Sequence, residues 1–422
     1  MAIERVRTLV DHLFRREAGR MVATLTRIFG SSRIDLAEDV VQEALLRALR
    51  VWSIQGPPRN PRAWIVEVAR NRALDVVRRD RAWREKEEEL RRWAESAAEG
   101  GGGEEGPAPD ELRDDQLRMM FVCCHEGLPR EARVALTLKT LGGFGVSEIA
   151  RAFLSTEDAI EQRLVRAKRR IREAGLRFEV PPEKDLARRL DSVLEVLYLL
   201  FNEGYGAHRG ESLVREDLVR EAIRLGSLLL ESVATRLPRV HALLALMLLQ
   251  GARLPARVGH DGRLRLLAEQ DRSAWDREMT ARGLRHLEFA ASGDEIGVYH
   301  LEAGIAGCHA VARTAGETDW ARILGFYDLF VALHSSPVVR LNRAVALAMV
   351  KGPAAGLEEV DAIASSPELD RYYLLPATRG ELLRRKGDAS GAAAAFAEAL
   401  SLAGTEPERR FLEERIAGCR KT

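Results

Sequence analysis

Cysteine, lysine, long apolar runs and strand-like alternation are all scarce in this chain. Its 422 residues hold four cysteines, two of them adjacent at Cys123-Cys124, too few for a disulfide framework and suited to a reducing compartment. The apolar runs around Val193 to Phe201 and Leu243 to Leu249 fall well short of the ~18 to 20 residues of a membrane span. Charges dot Met1 to Phe14, so no secretory leader is expected either. Lysine numbers seven against 58 arginines, a bias that a GC-rich genome would also produce. Period-two alternation is nearly missing, whereas apolar residues at i, i+3, i+4 and i+7 recur from end to end, which predicts an all-α protein. No Gly-x-x-x-x-Gly-Lys-[ST] loop, nucleophile elbow or His-Glu-x-x-His motif occurs. The expectation is a cytoplasmic protein, not an enzyme, with no catalytic residues, cofactor, metal or membrane contact.

What is present is ample material for more than one core: 46% of residues are hydrophobic and 31% charged. Formal charge is +1, but it is unevenly spread. Two breaks divide the helical pattern. Glu85 to Asp115 contains Gly100-Gly101-Gly102-Gly103, two prolines and a net charge of −8; it lacks the apolar side chains that would offset ordering and reads as a mobile linker, with extension of the preceding helix over Arg84 to Arg92 as the alternative for its first part. The second break is Val180-Pro181-Pro182. Arg59 to Arg84 carries eight basic and three acidic residues, and Ile160 to Arg177 seven and two, so each is +5. Two basic helices therefore flank an acidic segment, and neutral overall charge conceals two candidate phosphate-binding surfaces.

In the first block, a helix beginning near Leu36 places Val41, Leu45, Ala48, Leu49 and Trp52 on one stripe and Asp39, Gln42, Glu43, Leu46 and Arg50 on another. The first stripe is core; the second is either a solvated face or a docking surface. After Pro57-Pro58, a helix starting near Pro61 buries Ile65, Val68, Ala69, Ala73 and Val76 and leaves Arg62, Arg70, Asn71, Arg78 and Arg79 largely outside, with Trp52 and Trp64 nearby. Basic groups neutralise phosphates, Asn hydrogen-bonds base edges and aromatic rings stack on unpaired bases; a solvated arginine-rich helix with core tryptophans is the alternative.

In the second block, Leu128-Pro129-Arg130-Glu131 starts a helix that Gly142-Gly143 ends. Ser147-Glu148-Ile149-Ala150 opens a short helix, Phe153-Leu154 turns the chain, and Ser155 is expected to cap the next helix, with Asp158 in its first turn. There Ile160, Leu164, Ala167 and Ile171 form the core stripe, opposite Gln162, Arg163, Arg166, Arg169 and Arg170. Short helix, tight turn and basic second helix read as a helix-turn-helix, whose second helix enters the major groove; an ordinary helical hairpin is the alternative.

With these motifs in view, the first 178 or so residues resemble the extracytoplasmic-function (ECF) sigma factors of bacterial RNA polymerase. Leu36-Ala37-Glu38-Asp39-Val40-Val41-Gln42-Glu43 is similar to the helix those proteins dock on the polymerase clamp, which implies polymerase contacts at Asp39, Gln42 and Glu43. Trp64-Ile65, Ala69-Arg70-Asn71, Asp75 and Arg78-Arg79 resemble the element that melts and reads the minus-ten region, implying DNA contacts at Arg62, Trp64, Arg70, Asn71, Arg78 and Arg79. Glu148-Ile149-Ala150 and Arg163-Leu164-Val165-Arg166-Ala167 resemble the minus-thirty-five reader, implying contacts at Thr156, Glu161, Gln162, Arg163, Arg166 and Arg169. Where relatives read Gly-Thr-Val-Lys-Ser-Arg, this chain has Asp158-Ala159-Ile160-Glu161-Gln162-Arg163. Glu161 in place of a lysine forgoes a phosphate contact and is suited to accept from cytosine.

The resemblance implies two small helical sigma-type domains, residues 1–84 and 115–178, joined by the linker 85–114, and a C-terminal helical extension, 184–422. In the extension, Gly380, Leu383, Gly387, Ala392, Phe396 and Ala399 have the spacing of one tetratricopeptide repeat, and Gly352 lies 35 residues before Gly387. Repeat-like hairpins are expected from about residue 300, after an irregular helical region. Tyr198 to Tyr205 and Glu269 to Asp276 are similar to stretches of the sigma-factor subgroup with such an extension. Implied partners are core polymerase, duplex and melted promoter DNA, and either an intramolecular contact of the extension with the sigma domains or a regulatory protein. Cys123-Cys124-His125 and Cys308-His309 lack a second pair at metal-ligand spacing and read as core residues. Asn202-Glu203, Asp261-Gly262 and Asp271 read as capping and interhelical groups, not as a catalytic carboxylate cluster.

Overall fold

A computed structural model describes residues 17–79, 90–92, 94–95, 110–153, 155–205, 215–257 and 265–420. Of the linker expected at 85–114, residues 90–92, 94–95 and 110–114 are described and are helical, while the rest lies outside these residues, as do Asp261 and Gly262. The described residues are helical, without a strand, and the chain forms two compact units, 1–199 and 200–422.

Unit one begins with α1, residues 17–29, followed by α2 (Ile34–Gln55) and α3 (Pro61–Arg79). Helix α2 buries Val40, Val41, Ala44, Leu45, Ala48 and Trp52, the period-3.6 stripe that its sequence dictates. Gly56, at φ 77°, ends it in a backbone region that a Cβ disfavours. Four helices follow: α4 (Asp110–Cys123), α5 (Arg130–Thr140), α6 (Val146–Ala152) and α7 (Glu157–Glu173). Helix α4 starts five residues before the expected domain edge. On α7 the buried residues are Ile160, Leu164, Ala167 and Ile171, as the spacing requires. Its N-cap is Thr156, whose hydroxyl accepts the Ala159 amide at 3.2 Å, which corrects the assignment to Ser155. Both residues suit a cap, and the tight turn decides by bringing Thr156 Oγ1 to the third amide of the helix.

The helix after Pro181-Pro182, α8 (Glu183–Tyr205), belongs to both units. Its first half packs on α4 and α5: Arg189 donates to the Phe121 carbonyl at 2.7 Å, Ser192 to the Cys124 carbonyl at 2.5 Å, and Arg133 pairs with Glu195 at 3.1 Å. Cys123 and Cys124 are wholly buried there, and burial pushes the Cys124 thiol up to about 12, so it stays protonated.

Unit two is more regular than the sequence suggests. Between 200 and 300 it holds α9 (Glu216–Leu229), α10 (Pro238–Gly251) and α11 (Arg277–Ala290). Helix α10 is apolar on every side and buried from Val240 to Leu249 except at His241, so it shows no amphipathic stripe for a sequence reading to detect. Consecutive helices then pack as antiparallel neighbours: α12 (Val298–Val311), α13 (Trp320–Leu333), α14 (Pro337–Lys351), α15 (Pro353–Ile363), α16 (Leu374–Lys386), α17 (Ala389–Leu402) and α18 (Glu406–Cys419). The α16–α17 hairpin is closely packed. Ala392, Phe396 and Ala399 are buried together, a Cβ on Gly380 would lie 2.8 Å from the Phe396 ring, and Gly387 turns the chain at φ 93°.

Candidate polymerase and promoter-DNA interface

The α2 face carrying Asp39, Gln42, Glu43, Leu46 and Arg50 is exposed along its length. Leu46 retains 46% of its surface although apolar, which distinguishes this face from an ordinary polar one. Burial raises the Asp39 carboxyl; Lys168 opposes this, and the neighbouring Asp35, Glu38 and Glu43 add to it. The face is thus a concentrated acidic strip with an apolar centre.

On α3, Asn71 is exposed. Arg70 pairs with Glu67 at 2.5 Å and donates to Asn71 Oδ1 at 3.0 Å, so two of the expected base-contacting groups are held side by side. Trp64 is half-buried, its ring 5.4 Å from that of Trp52. Arg62 does not stand outside the helix as expected: it is half-buried and paired with Glu17 at 3.0 Å. Glu17 lies on α1, a neighbour that the periodicity of α3 cannot reveal. The side chains of Arg78 and Arg79 lie outside the described residues.

On α7, Thr156, Glu161, Gln162, Arg166 and Arg169 are exposed and Arg163 is half-buried. Arg169 is paired along the helix with Glu173 at 2.6 Å. The α6–turn–α7 arrangement, capped by Thr156 and preceded by the Glu148 carboxylate on the Gly145 amide at 2.8 Å, aims the amino end of a positively charged helix at solvent.

The two sets of side chains are not independent. Lys168, on the flank of the α7 core stripe, donates to Glu38 at 2.6 Å and to Asp35 at 2.8 Å, both on α2. Glu38 also accepts the Thr140 hydroxyl at 2.9 Å. Lys168 and Glu38 keep only 13% and 12% of their side-chain surface. Burial pulls the Lys168 amine down, but Glu38 and Asp35 outweigh it and hold it above its ordinary value. Further contacts reinforce this clasp: Arg27 on α1 pairs with the buried Asp115 on α4 at 3.0 Å, Ser31 donates to the Leu176 carbonyl, and a Cβ on Gly19 would sit 2.2 Å from the Leu141 carbonyl oxygen. The sequence reading missed these residues. One signal was there: Lys168 is the single lysine among the seven basic residues of its segment, and it adjoins the buried Ala167.

With this geometry established, comparison with known proteins becomes informative. Residues 13–84 match the Sigma-70 region 2 family, residues 118–171 match Sigma-70, region 4, and residues 189–291 match a family of unknown function, DUF6596. An ECF RNA polymerase sigma factor of Mycobacterium tuberculosis, SigL, is 31% identical over 137 residues, 32% of this chain and 72% of the relative. The chain belongs to the ECF RNA polymerase sigma factors. A probable ECF sigma factor of the same organism, SigI, is 29% identical over 149 residues, 35% of this chain and 50% of the relative. An uncharacterized protein of Rhizobium meliloti (strain 1021) is 40% identical over 388 residues, 91% of this chain and 90% of the relative, so the sigma regions and the extension recur together. The region 4 match covers α6 and all but the last two residues of α7, and the α2 and α3 faces lie within region 2. Among the described residues no group of three His, Cys, Asp or Glu could hold a metal, and no helix is long and apolar enough to cross a membrane. Asp271 is occupied in capping, its carboxylate accepting the Ser273 amide at 2.8 Å.

Proposed function

We propose that this sigma factor docks on core RNA polymerase through Asp39, Gln42 and Glu43, engages melted minus-ten DNA through Trp64, Arg70 and Asn71 with Arg62, Arg78 and Arg79 beside them, and reads upstream duplex through Thr156, Glu161, Gln162, Arg163, Arg166 and Arg169. It acts by binding rather than by chemistry of its own, in the cytoplasm where the polymerase works. The observation that carries the reading is the division of α2 and α7 into one fully buried stripe each, opposite an exposed face of the required charge: acidic with a central leucine on α2, basic on α7. The region 2 match distinguishes this from a helix-turn-helix regulator that never replaces a sigma factor. A pull-down of core polymerase by the full chain tests the first contact. Replacing Asp39 and Glu43 by arginine should abolish capture while leaving the fold intact, and retained capture would remove the α2 face from the account.

In this reading the clasped form is a resting form. Promoter elements centred 25 base pairs apart span about 85 Å of duplex. Contacts run from Arg163 along α7 to Lys168, across to Glu38, along α2 to Glu43 and across to Arg72, which pairs with Glu43 at 2.6 Å beside Asn71. That path covers no more than about 45 Å, at 1.5 Å per helical residue and roughly 10 Å per bridge between helices. The two DNA-reading faces must therefore separate before one promoter can engage both, and the Lys168–Glu38–Asp35 contact is the first that opening would break. The extension, or a protein partner acting through it, then regulates the sigma regions by shifting this equilibrium. Truncation after residue 205, which preserves the part of α8 packed on region 4, should change promoter output at equal protein level; unchanged output would remove the regulatory role.

A further inference from the structure

Unit two contains a cavity of about 520 Å3 that no contact of the sigma regions explains. It lies between the Leu266–Ala268 turn, α12, α13, α14 and the α16–α18 helices, and its walls are mainly apolar, Trp320, Phe396 and Phe411 among them. Its size falls within the ~300 to 1,000 Å3 of sites that enclose a small organic ligand.

One end of this cavity is electrostatically incomplete. His309, on α12, keeps 7% of its surface and lines the cavity, and its Nδ1 is buried without a hydrogen-bonding partner. Buried polar atoms in folded proteins are nearly always paired, so an unpartnered nitrogen on a residue that lines a cavity calls for an explanation. Beside it stands Arg272, also on the cavity wall, which donates to the His309 and Ala312 carbonyls at 2.5 Å each and to Thr318 Oγ1 at 3.3 Å. Behind Arg272 lies Arg253, 9% exposed, donating to Gln250 Oε1 at 2.9 Å. Both guanidinium groups face the Trp275 ring, at 5.0 and 5.6 Å. Among the described residues neither has a carboxylate at ion-pair distance; the one acidic influence on Arg272 is the exposed Glu317. Burial and these two arginines push the His309 imidazole down to about 4. The acidic groups of the cavity are already engaged. Glu408 accepts the Thr405 amide at 2.9 Å and a hydrogen bond from Tyr373, and Glu381 takes two from Arg384.

We propose that this cavity is a binding site for a small organic carboxylate, an apolar aromatic or aliphatic body with an anionic head placed at His309 and Arg272. The head would lie beside the His309 ring, whose buried Nδ1 lacks a partner, and supply a counter-charge to the half-buried Arg272 and the buried Arg253 next to it. The body would replace the void against Trp320 and Phe396. This site stands independently of the promoter-binding assignments, because its test reads binding and not transcription.

The test is calorimetric titration of the full chain with benzoate, 2-naphthoate and decanoate, each beside the corresponding alcohol. At least one acid should bind with Kd in the range of roughly ten to several hundred micromolar, ten times or more tighter than its alcohol. His309→Leu, which keeps the volume but removes the nitrogen, should cut that preference below threefold. Ala377→Trp, which fills the cavity from α16, should abolish binding of acid and alcohol alike, with circular dichroism confirming the fold of each variant. If the wild-type chain binds no acid below 1 mM, or binds acid and alcohol equally, or if folded Ala377→Trp binds as the wild type does, the proposal is wrong.

Discussion

Glu38→Gln is the most informative single change, because it keeps the shape of the clasp and removes one charge. In the native arrangement Lys168 is almost enclosed and held by Glu38 at 2.6 Å and Asp35 at 2.8 Å. Removing one partner of a buried pair leaves the other charge uncompensated and costs about 3 to 5 kcal/mol. Asp35 remains and is half-exposed at 51%, so the expected loss falls to about 2 kcal/mol, with screening by solvent further weakening the surviving pair. That is roughly thirtyfold in the ratio of closed to open forms. The assay is single-molecule energy transfer between dyes on Ile54→Cys and Ala174→Cys. Both sites are exposed, and the four native cysteines are buried, leaving them unlabelled. The low-transfer population should rise at least tenfold in Glu38→Gln and in Lys168→Met, and the double variant should add little to either. A distribution identical to wild type in both single variants would refute the clasp.

Three further outcomes concern residues outside the clasp. Arg166→Ala should weaken binding to promoter duplex with little sequence preference and lower the salt slope by about 1, one lost phosphate contact; an unchanged slope would place Arg166 off the DNA. Phe396→Ala should cost unit two about 3 to 5 kcal/mol in denaturant unfolding, since the ring is 1% exposed and packed on Gly380; a loss under 1 kcal/mol would mean the hairpin is not as tightly packed as described. His309 has a folded-state pKa of about 4, below its unfolded value of 6.5, lowered by burial and by Arg253 and Arg272. The unfolded chain therefore binds the proton first, and stability present above pH 6.5 is lost as the pH falls toward 4, by up to about 3 kcal/mol. His309→Gln should flatten that part of the pH profile, measured as wild type minus variant, and identical profiles would show that the imidazole is not held neutral.

Much of α2 and α7 was legible because both helices are amphipathic and each buries a single stripe. Ile160, Leu164, Ala167 and Ile171 were placed in the core by spacing alone, and all four are buried. The exposed faces of α2 and α7 followed by subtraction. What the sequence concealed was everything that depends on a second element. Arg62 is turned inward by Glu17 on another helix, the choice of Thr156 over Ser155 depends on the turn, and the clasp joins residues 130 positions apart. In the extension, α10 hides its fold for the opposite reason, since a helix apolar all round carries no phase. His309 beside Cys308 read as an isolated core residue; only the packing of α12 with α10, α11 and α13 places it on a cavity wall beside Arg272.

The central claim is that this chain directs promoter-specific initiation, and run-off transcription tests it most directly. Purified core polymerase would be assayed on genomic fragments with and without this chain, alongside the Arg70→Ala and Asn71→Ala variants. Discrete starts should appear only when the protein is present, and they should be strongly reduced in both variants. No start from the wild type, and none from a Glu38→Gln chain whose clasp has been released, would contradict the account.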